Sequence, residues 1–270
     1  MADRQQTIAL LTDFGARDSY VGQLKASIAA VAPAASVYDI THEVPAYDIE
    51  AGAFLLHTSY RVFPKMTIFI AVVDPGVGGP RRPILICTDD YYFIGPDNGI
   101  FSYIYDTDFV YRTIHITAEH LFRQPVSRTF HARDIFGPAA AWMARGTDSA
   151  NFGEIITDPL KLELKKPRAL GAKLMKGQVM WVDRFGSLIT NISNETAQRM
   201  ADANPGKKLQ LMVGAEEIAV DLAGGFSGNS GDKVSYAGSG GYLEIACVRQ
   251  SAEAVMQITR GKEVALAVEG

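Results

Sequence analysis

Apolar residues in the first half of the chain follow two different patterns. Apolar runs predict buried β-strands at 7–11, 67–73 and 83–88, and a further strand is predicted at 35–41. Apolar residues spaced three and four apart predict helices at 21–31, 48–63 and 134–146. Apolar strands that alternate with helices are typical of a mostly parallel sheet covered on both faces. The first half is therefore predicted to be an α/β domain.

The pattern changes after about residue 160. The segment 160–177 is basic, contains a proline and two glycines, and is predicted to be a linker with a first β-edge. Beyond it, short β-type runs alternate with turn residues at intervals of about ten residues, which is typical of a small antiparallel β-barrel or sandwich. We therefore expect an N-terminal α/β domain over residues 1–165 and a C-terminal β-barrel domain over residues 172–270.

Composition and charge narrow the function classes. The 270 residues are 47% hydrophobic and 21% charged, which is ordinary for a globular protein. The net charge of −4 offers no basic face for nucleic acid. Both cysteines, Cys87 and Cys247, lie in apolar stretches and are expected to be buried thiols. The apolar core near the N-terminus is too short for a signal peptide and no stretch reaches the length of a membrane span, so we expect a cytoplasmic protein with no membrane partner.

Several polar stretches follow the predicted strands, where open α/β sheets bind their ligands. Seven side chains could converge there: Asp13, Asp18, Asp74, Arg81, Asn98, His131 and Asp134. Taken singly, most of them also fit structural roles, such as a helix cap for Asp18 or a helix N-terminus for Asp134. Asp74 is the strongest single candidate, because it ends a buried strand and is followed by glycines and two arginines.

Five motifs together carry a family resemblance. They are "LLTDFG", "VVDPGVG", "GPDNG", "FHARDIF" and "VDRFGSLITNI", and they occur in this order. The resemblance extends from about residue 7 to about residue 250. In these motifs the chain resembles the S-adenosyl-L-methionine (SAM) hydroxide adenosyltransferases, relatives of the fluorinating and chlorinating enzymes. The resemblance implies an α/β domain that carries the catalytic residues and a barrel that completes the substrate site. It also implies a homotrimer with the active site between neighbouring subunits, and hydrolysis of SAM to adenosine and methionine without a cofactor.

The resemblance also assigns residues by position. The implied catalytic residues are Asp74, Arg81 and His131, without a metal. The implied substrate-binding residues are Asp13 at the ribose hydroxyls, Asp18, Asp183 and Ser239 at the methionine end, Tyr47, Phe130 and Phe185 as aromatic contacts, and Asn98 and Ser187. One position departs from the family pattern. Ser187 occupies the position at which relatives usually carry an Asn that recognises the adenine.

The chemistry of a sulfonium substrate fits these residue types. Methionine leaves as a neutral thioether, so the reaction needs no general acid and requires only a positioned, activated water. Asp74 or His131 can accept the proton, whereas arginine cannot and instead orients the carboxylate. The order and spacing of the motifs leave the choice between Asp74 and His131 open.

Three alternatives accompany this interpretation. The first is a halogenase, although the halogenating relatives carry Tyr at Asp74 and Tyr–Ser at His131–Ala132. The second is a metal-dependent hydrolase with ligands among Asp74, Asp89, Asp97, His131 and Asp134, which no metal-binding motif supports. The third is a non-enzymatic adenosyl-ligand binding protein, which would not need the Asp–Arg–His set.

Overall fold

The computed structural model describes residues 6–269, which form two compact units that divide between Leu164 and Lys165. The strands of the first unit are β1 Thr7–Thr12, β2 Ser36–Thr41, β3 Ile68–Val72, β4 Pro83–Thr88, β5 Tyr92–Pro96, β6 Val110–Ile116 and β7 Gly153–Ile155. Its α-helices are α1 Tyr20–Val31, α2 Ile49–Ser59, α3 Ser102–Thr107 and α4 Gly137–Ala144. None of the helices within residues 6–269 has the length and hydrophobicity needed to cross a bilayer.

The sheet of the first unit is mixed, with the order β2-β1-β3-β5-β4-β6-β7. Strands β2, β1, β3 and β5 are parallel, whereas β5, β4, β6 and β7 pair antiparallel. The antiparallel half begins at β4 because a short turn joins β4 to β5, and such a turn cannot return a strand in the parallel direction. The predicted α/β class is confirmed, and the parallel order applies to four of the seven strands.

The order of the parallel strands creates a crevice at one edge of the sheet. From β1 the chain passes through α1 to β2 on one side, and then through α2 to β3 on the other side of β1. The connections therefore diverge between β1 and β3. In open α/β sheets, ligands bind at the carboxyl ends of the strands at such a point. Asp13 follows β1 and Asp74 lies two residues after β3, so both carboxylates lie at this crevice.

Both faces of the sheet are buried. Side chains of β1 and β3 such as Leu10 and Ile70 pack with Leu24 of α1 and Ala140 of α4, and all are fully buried. On the other face, an aromatic cluster forms around Phe69, whose ring stacks on Phe93 with the centroids 5.2 Å apart. Burial on both faces explains why these strands appear in the sequence as continuous apolar runs.

Two predicted helices differ in detail from the observed ones. The predicted helix at 48–63 ends at Ser59 and continues only as a 3₁₀ turn over Tyr60–Val62. The predicted helix at 134–146 is α-helical only over Gly137–Ala144 and is preceded by a π-helical segment, Ala132–Phe136. Such π-segments are rare in proteins, and many of those known lie at functional sites. His131 lies directly before this one.

The second unit contains a closed barrel of seven strands. Its strands are β8 Arg168–Ala169, β9 Leu174–Val182, β10 Leu188–Ser193, β11 Leu209–Val213, β12 Glu216–Asp221, β13 Lys233–Ala237, β14 Tyr242–Cys247 and β15 Glu263–Val268. The barrel order is β10-β14-β13-β12-β11-β15-β9, the β9–β10 pairing closes it, and β8 adds to β9. All its pairs are antiparallel except β12–β13. The predicted β-barrel is confirmed.

The barrel unit also contains two helices that the β pattern did not predict, α5 Asn194–Asp202 and α6 Ala252–Met256. Both begin at a serine whose side chain accepts a hydrogen bond from the backbone, from Thr196 N to Ser193 and from Ala254 N to Ser251. Serine followed by an acidic residue within the first turn is a usual helix start, so the sequence did contain this signal.

Candidate active site

A cleft of about 510 Å³ lies at the crevice between β1 and β3 of the first unit. Five of the residues that the sequence singled out line it: Asp13, Tyr47, Asp74, Phe130 and His131. These residues are far apart in sequence. The topology of the sheet brings them together, because their segments follow β1, β2 and β3 or lie in the loop before α4.

Asp74, which lines this cleft, forms a forked ion pair with Arg81. Arg81 Nε donates to Asp74 Oδ1 and Oδ2 at 3.1 and 3.0 Å, and Nη2 donates to Oδ2 at 2.5 Å. The side chains are only 10% exposed for Arg81 and 6% for Asp74. Each carboxylate oxygen has two lone-pair directions, so the fork leaves Asp74 able to accept further hydrogen bonds from a ligand.

The same guanidinium determines the tautomer of His131. Arg81 Nη2 lies 2.8 Å from His131 Nδ1, and because a guanidinium can only donate, Nδ1 must be the acceptor. The neutral ring therefore carries its proton on Nε2. Burial, followed by the charge of Arg81, lowers the pKa of His131 below its usual 6.5, with Asp74 and Asp134 opposing. His131 is thus held neutral, with an N–H donor on the nitrogen that faces away from Arg81.

We expect His131 to titrate below pH 6.5 in the folded protein, because burial disfavours the charged imidazolium and protonation would also place a second cation beside Arg81. A pKa lowered by folding means that the unfolded chain binds the proton first, so stability falls as the pH drops below 6.5. An NMR pH titration of the imidazole protons, with the His131→Gln variant to assign the resonance, measures the pKa directly. A His131 pKa above 6.5 would contradict the assigned tautomer and the Arg81 contact.

The neighbouring arginine has a different role. Arg82 donates from Nε and Nη2 to Asp97 Oδ2 at 2.9 and 2.6 Å, and from Nη1 to Asp158 Oδ1 at 2.9 Å. Asp97 also accepts from Leu160 N at 2.8 Å. Arg82 therefore attaches the segment around Asp158 and Leu160 to the sheet, whereas Arg81 turns towards the cleft.

The loop after Asp74 needs a glycine because its backbone lies very close to another backbone segment. Gly78 has a φ of +76°, and a Cβ there would lie 2.1 Å from the carbonyl oxygen of Arg128. A side chain at this position would push the loop away from the segment that carries Ser127 and Thr129, two residues of the cleft wall. The glycine thus lets two walls of the cleft approach each other.

Asp13 is held by a strained neighbour. Its Oδ2 accepts a hydrogen bond from the backbone N–H of Tyr47 at 2.9 Å. Tyr47 adopts a left-handed φ of 68°, which is costly for a residue with a side chain and is often found at ligand sites. The bond orients one carboxylate oxygen of Asp13 and leaves the other for a ligand. Tyr47 is 73% exposed at the cleft.

An aromatic wall completes the cleft, and two of its three rings were absent from the predicted set. The ring centroids of Phe14, Tyr20 and Phe130 lie 5.3–6.0 Å apart in edge or tilted contacts. Gln23 and Arg133 also line the cleft. The sequence held a partial signal, because Phe14 follows Asp13 directly, and Tyr20 and Gln23 share one face of the first turn of α1.

Asp18 and Asn98 do not line this cleft. Asp18 is exposed in the loop before α1, whose N-cap residue, Ser19, makes no side-chain capping bond. Asn98 donates from Nδ2 to the carbonyl oxygen of Val73 at 2.8 Å, and its Oδ1 accepts from Ile100 N at 3.2 Å. Asn98 therefore holds the strand end from which Asp74 projects. A substrate contact for Asp18 or Asn98 stays a prediction.

The barrel unit has a cavity of its own, of about 600 Å³. Three predicted residues line it: Asp183, Phe185 and Ser187. The sequence did not single out the other lining residues, which are Phe226, Tyr236, Arg249, Gln250 and Ser251. Asp183 Oδ1 accepts from the backbone N–H groups of Phe185 and Ser187 at 2.9 and 2.8 Å, which shapes the turn between β9 and β10.

A hydrogen bond joins two polar side chains at one side of the barrel cavity. Tyr236 donates to Glu244 Oε2 at 3.1 Å and also interacts with Ser187. Burial and the charge of Glu244 raise the pKa of Tyr236 to about 12, so its phenol is a stable donor. Burial likewise raises the pKa of Glu244. Ser239 lies exposed in the turn between β13 and β14, outside the cavity lining, and its contact with the methionine end stays a prediction.

The acids considered as metal ligands are mostly bound to arginines. Asp74 pairs with Arg81 and Asp97 with Arg82. Asp134 is bound by Arg133, with Nε at 2.7 Å from Oδ1. Within residues 6–269, no group of three or more His, Cys, Asp or Glu side chains has an arrangement suited to a metal ion. Guanidinium groups next to carboxylates also oppose the approach of a divalent cation.

The fold and the cleft define an α/β ligand-binding enzyme with a barrel module. Residues 8–153 match the N-terminal domain, and residues 177–265 the C-terminal domain, of the SAM hydroxide adenosyltransferase family. The chain therefore belongs to the SAM hydroxide adenosyltransferase family.

Individual relatives agree with this assignment. The (R)-S-adenosyl-L-methionine hydrolase of Thermus thermophilus is 31% identical over 96% of this chain and 98% of its own length. A fluorinase of Actinoplanes sp. is more distant, at 22% identity over 91% of this chain and 92% of its own length. A solved structure of an uncharacterized conserved protein from Thermotoga maritima has a TM-score of 0.90 and 32% identity, covering 96% of this chain and 99% of that chain.

Proposed function

We propose that this protein hydrolyses S-adenosyl-L-methionine to adenosine and L-methionine, with SAM as substrate and no further cofactor. The observation that carries the proposal is the Asp74–Arg81–His131 cluster at the sheet crevice. It presents a carboxylate and an N–H donor to the cleft and fixes both through one guanidinium. A water held there would have a lone pair free for attack on carbon.

The reaction balances with water alone. The water oxygen forms a bond to the ribose C5′, and the C5′–S bond breaks with its electron pair going to sulfur. The sulfonium becomes the neutral thioether of methionine, and one proton is released to solvent. Because the leaving group gains no negative charge, the protein needs only to align water and substrate and to accept a proton.

The tautomer of His131 supports Asp74 as the proton acceptor. Nδ1 of His131 is occupied by Arg81 Nη2, and Nε2 carries the proton of the neutral ring. The imidazole is therefore a donor that orients the water, and the Asp74 carboxylate is the remaining base.

The remaining cleft residues fit the rest of the substrate. A carboxylate accepts two vicinal hydroxyls well, which suits Asp13 to the ribose diol. The rings of Phe14, Tyr20 and Phe130 present polarisable surface to a sulfonium cation without placing a full negative charge beside it. A full negative charge there would stabilise the charged substrate more than the transition state, in which the charge is disappearing.

We further propose that the protein is a homotrimer in which the barrel of one subunit covers the cleft of its neighbour. Two aromatic residues at the predicted site, Tyr47 and Phe185, are 73% and 79% exposed in the single chain. Large exposed aromatic side chains beside cavities are typical of surfaces that bind another molecule. In the trimer, Asp183, Phe185 and Ser187 would supply the contacts to adenine and the methionine ammonium.

Mixing two inactive variants tests the shared site. Asp74→Asn damages the cleft and Asp183→Asn damages the barrel, so any mixed trimer retains one intact site of three in a closed ring. With equal random mixing about three-quarters of the trimers are mixed, and we expect about a quarter of the wild-type activity to return. The measurement is a product assay after co-refolding, with each variant refolded alone as control. No recovery despite proven subunit exchange would place the whole site within one chain.

Incubation with SAM and chromatographic separation of the products tests the function itself. We expect adenosine and methionine in equal amounts, and ¹⁸O from labelled water in the 5′-hydroxyl. Formation of a 5′-halo nucleoside in the presence of chloride or fluoride would instead indicate a halogenase. Activity that disappears with EDTA and returns with one divalent ion would indicate a metal-dependent hydrolase. Binding of SAM without turnover would indicate a ligand-binding protein.

We place the protein in a reducing compartment, the cytoplasm. Cys87 and Cys247 are both buried, lie in separate units and form no disulfide with each other. Thiols of this kind are usual where disulfides do not form.

A further inference from the structure

A buried carboxylate that the proposed reaction does not use lies behind the cleft wall. The Asp134 side chain is fully buried in the π-helical segment. Its oxygens accept from Arg133 Nε at 2.7 Å and Nη2 at 2.8 Å, from Arg123 Nη1 at 3.1 Å and from Ser127 N at 2.8 Å. Burial opposes its ionisation, but these bonds hold the pKa of Asp134 below its usual range, so it is a carboxylate.

The main partner of Asp134 is a cation of the cleft wall. Arg133 lines the cleft and is 23% exposed. Its guanidinium lies 5.1 Å from the centre of the Phe130 ring, and Nη1 donates to Gln23 Oε1 at 2.9 Å. All three guanidinium nitrogens of Arg133 are thereby bound by the protein itself. Asp134 thus fixes Arg133 against Phe130 and Gln23, which also line the cleft.

Asp134 decides the net charge of the groups around the cleft, because Asp13, Asp74, Arg81 and Arg133 alone sum to zero and Asp134 leaves one negative charge. Asp74 and Arg81 neutralise each other, and Asp13 contributes one negative charge. Arg133 would cancel that negative charge if it were unpaired. A compact cleft of 510 Å³ is about 10 Å across, which is about one Debye length at 0.1 M salt, so every charge on its wall acts on the ligand.

We propose that Asp134 is a specificity-determining residue: as the buried counter-ion of Arg133, it keeps this wall neutral and lets the cleft prefer a cationic sulfonium over a neutral thioether. This inference rests on the proposed substrate. S-Adenosyl-L-homocysteine differs from SAM by one methyl group and one positive charge. Comparing the two ligands therefore isolates the charge from the shape of the cleft.

The test measures the Michaelis constant and kcat for SAM and the inhibition constant for S-adenosyl-L-homocysteine. For Asp134→Asn we expect the Michaelis constant to rise by about tenfold or more, because Arg133 then acts as an unpaired cation near the ligand. The inhibition constant should change by less than about threefold, since the neutral ligand senses only the shape of the wall. Removing both charges in Asp134→Asn with Arg133→Gln should return the ratio of the two constants to near its wild-type value.

Asp108→Asn is the matched control. It changes the net charge equally and removes the carboxylate partner of Arg61, and neither residue lines the cleft. We expect its ratio of constants to equal that of the wild type.

Two results would overturn the inference. One is an equal rise of both constants in Asp134→Asn, which would indicate a purely structural role. If Asp134→Asn does not fold, Arg133→Gln alone is the test, because it leaves Asp134 paired with Arg123. The ratio of the Michaelis constant for SAM to the inhibition constant for S-adenosyl-L-homocysteine should then not rise. A rise of this ratio in Arg133→Gln is the second result that would overturn the inference. A wild-type protein that turns over no SAM would instead overturn the proposed function.

Discussion

Replacing Asp74 by Asn should lower the turnover of SAM by about 10²–10⁴-fold while leaving the affinity for the neutral analogue S-adenosyl-L-homocysteine nearly unchanged. An amide cannot accept a proton at neutral pH, and it withdraws the negative charge that polarises the attacking water. Affinity should persist because Asp13 and the aromatic wall, rather than Asp74, fit the bulk of the substrate. Calorimetric titration with S-adenosyl-L-homocysteine beside a product assay with SAM measures both quantities.

Asp97→Asn is the matched control for this prediction. Asp97 is as well buried as Asp74, with a side chain 4% exposed, and its Oδ2 accepts from Nε and Nη2 of the next arginine, Arg82. Both variants lose a carboxylate opposite a guanidinium, so both proteins should be less stable. Only Asp74→Asn should show the large fall in SAM turnover. Near-normal hydrolysis by a folded Asp74→Asn protein would make Asp74 structural. Loss of binding as well would make it chiefly a substrate ligand.

Replacing Arg81 by Lys should lower turnover by about 10²-fold, although the charge is kept, because a small misplacement of catalytic groups has effects of this size. An ammonium cannot reproduce the planar fork that contacts both oxygens of Asp74 and Nδ1 of His131 at once. The imidazole would lose the partner that determines its tautomer. Steady-state kinetics across about pH 6–9 measure the effect, and the profile should change shape as His131 becomes free to take either tautomer.

Arg82→Lys provides the comparison at the adjacent position. Arg82 binds Asp97 and the exposed Asp158, so its replacement should loosen the segment around residue 160 and leave the cleft intact. We expect a lower melting temperature with turnover within about threefold of wild type, as is usual for a change away from the reacting groups. Equal losses in Arg81→Lys and Arg82→Lys would show that the fork at Asp74 has no special part in the reaction.

Much of the fold could be predicted from local patterns. Strands such as β1 and β3 are buried on both faces, so their sequences are continuously apolar and easily recognised. The antiparallel pairing of β4 with β5 and the parallel pair β12–β13 were not predictable in this way. Strand direction depends on how connections cross the sheet, and the apolar pattern is the same for either direction.

The sequence by itself determined which residue types occur at the strand ends and in which order, and therefore the family and the candidates Asp74, Arg81 and His131. Only the tertiary structure decided which of these groups contact one another. The contact between Arg81 and His131 joins residues 50 positions apart, and it determines which imidazole nitrogen carries the proton. Likewise, Asn98 binds the carbonyl of Val73, and Asp134 neutralises Arg133. Hydrogen bonds and charges act over a few ångströms, and distances of that kind between remote segments exist only once the chain has folded.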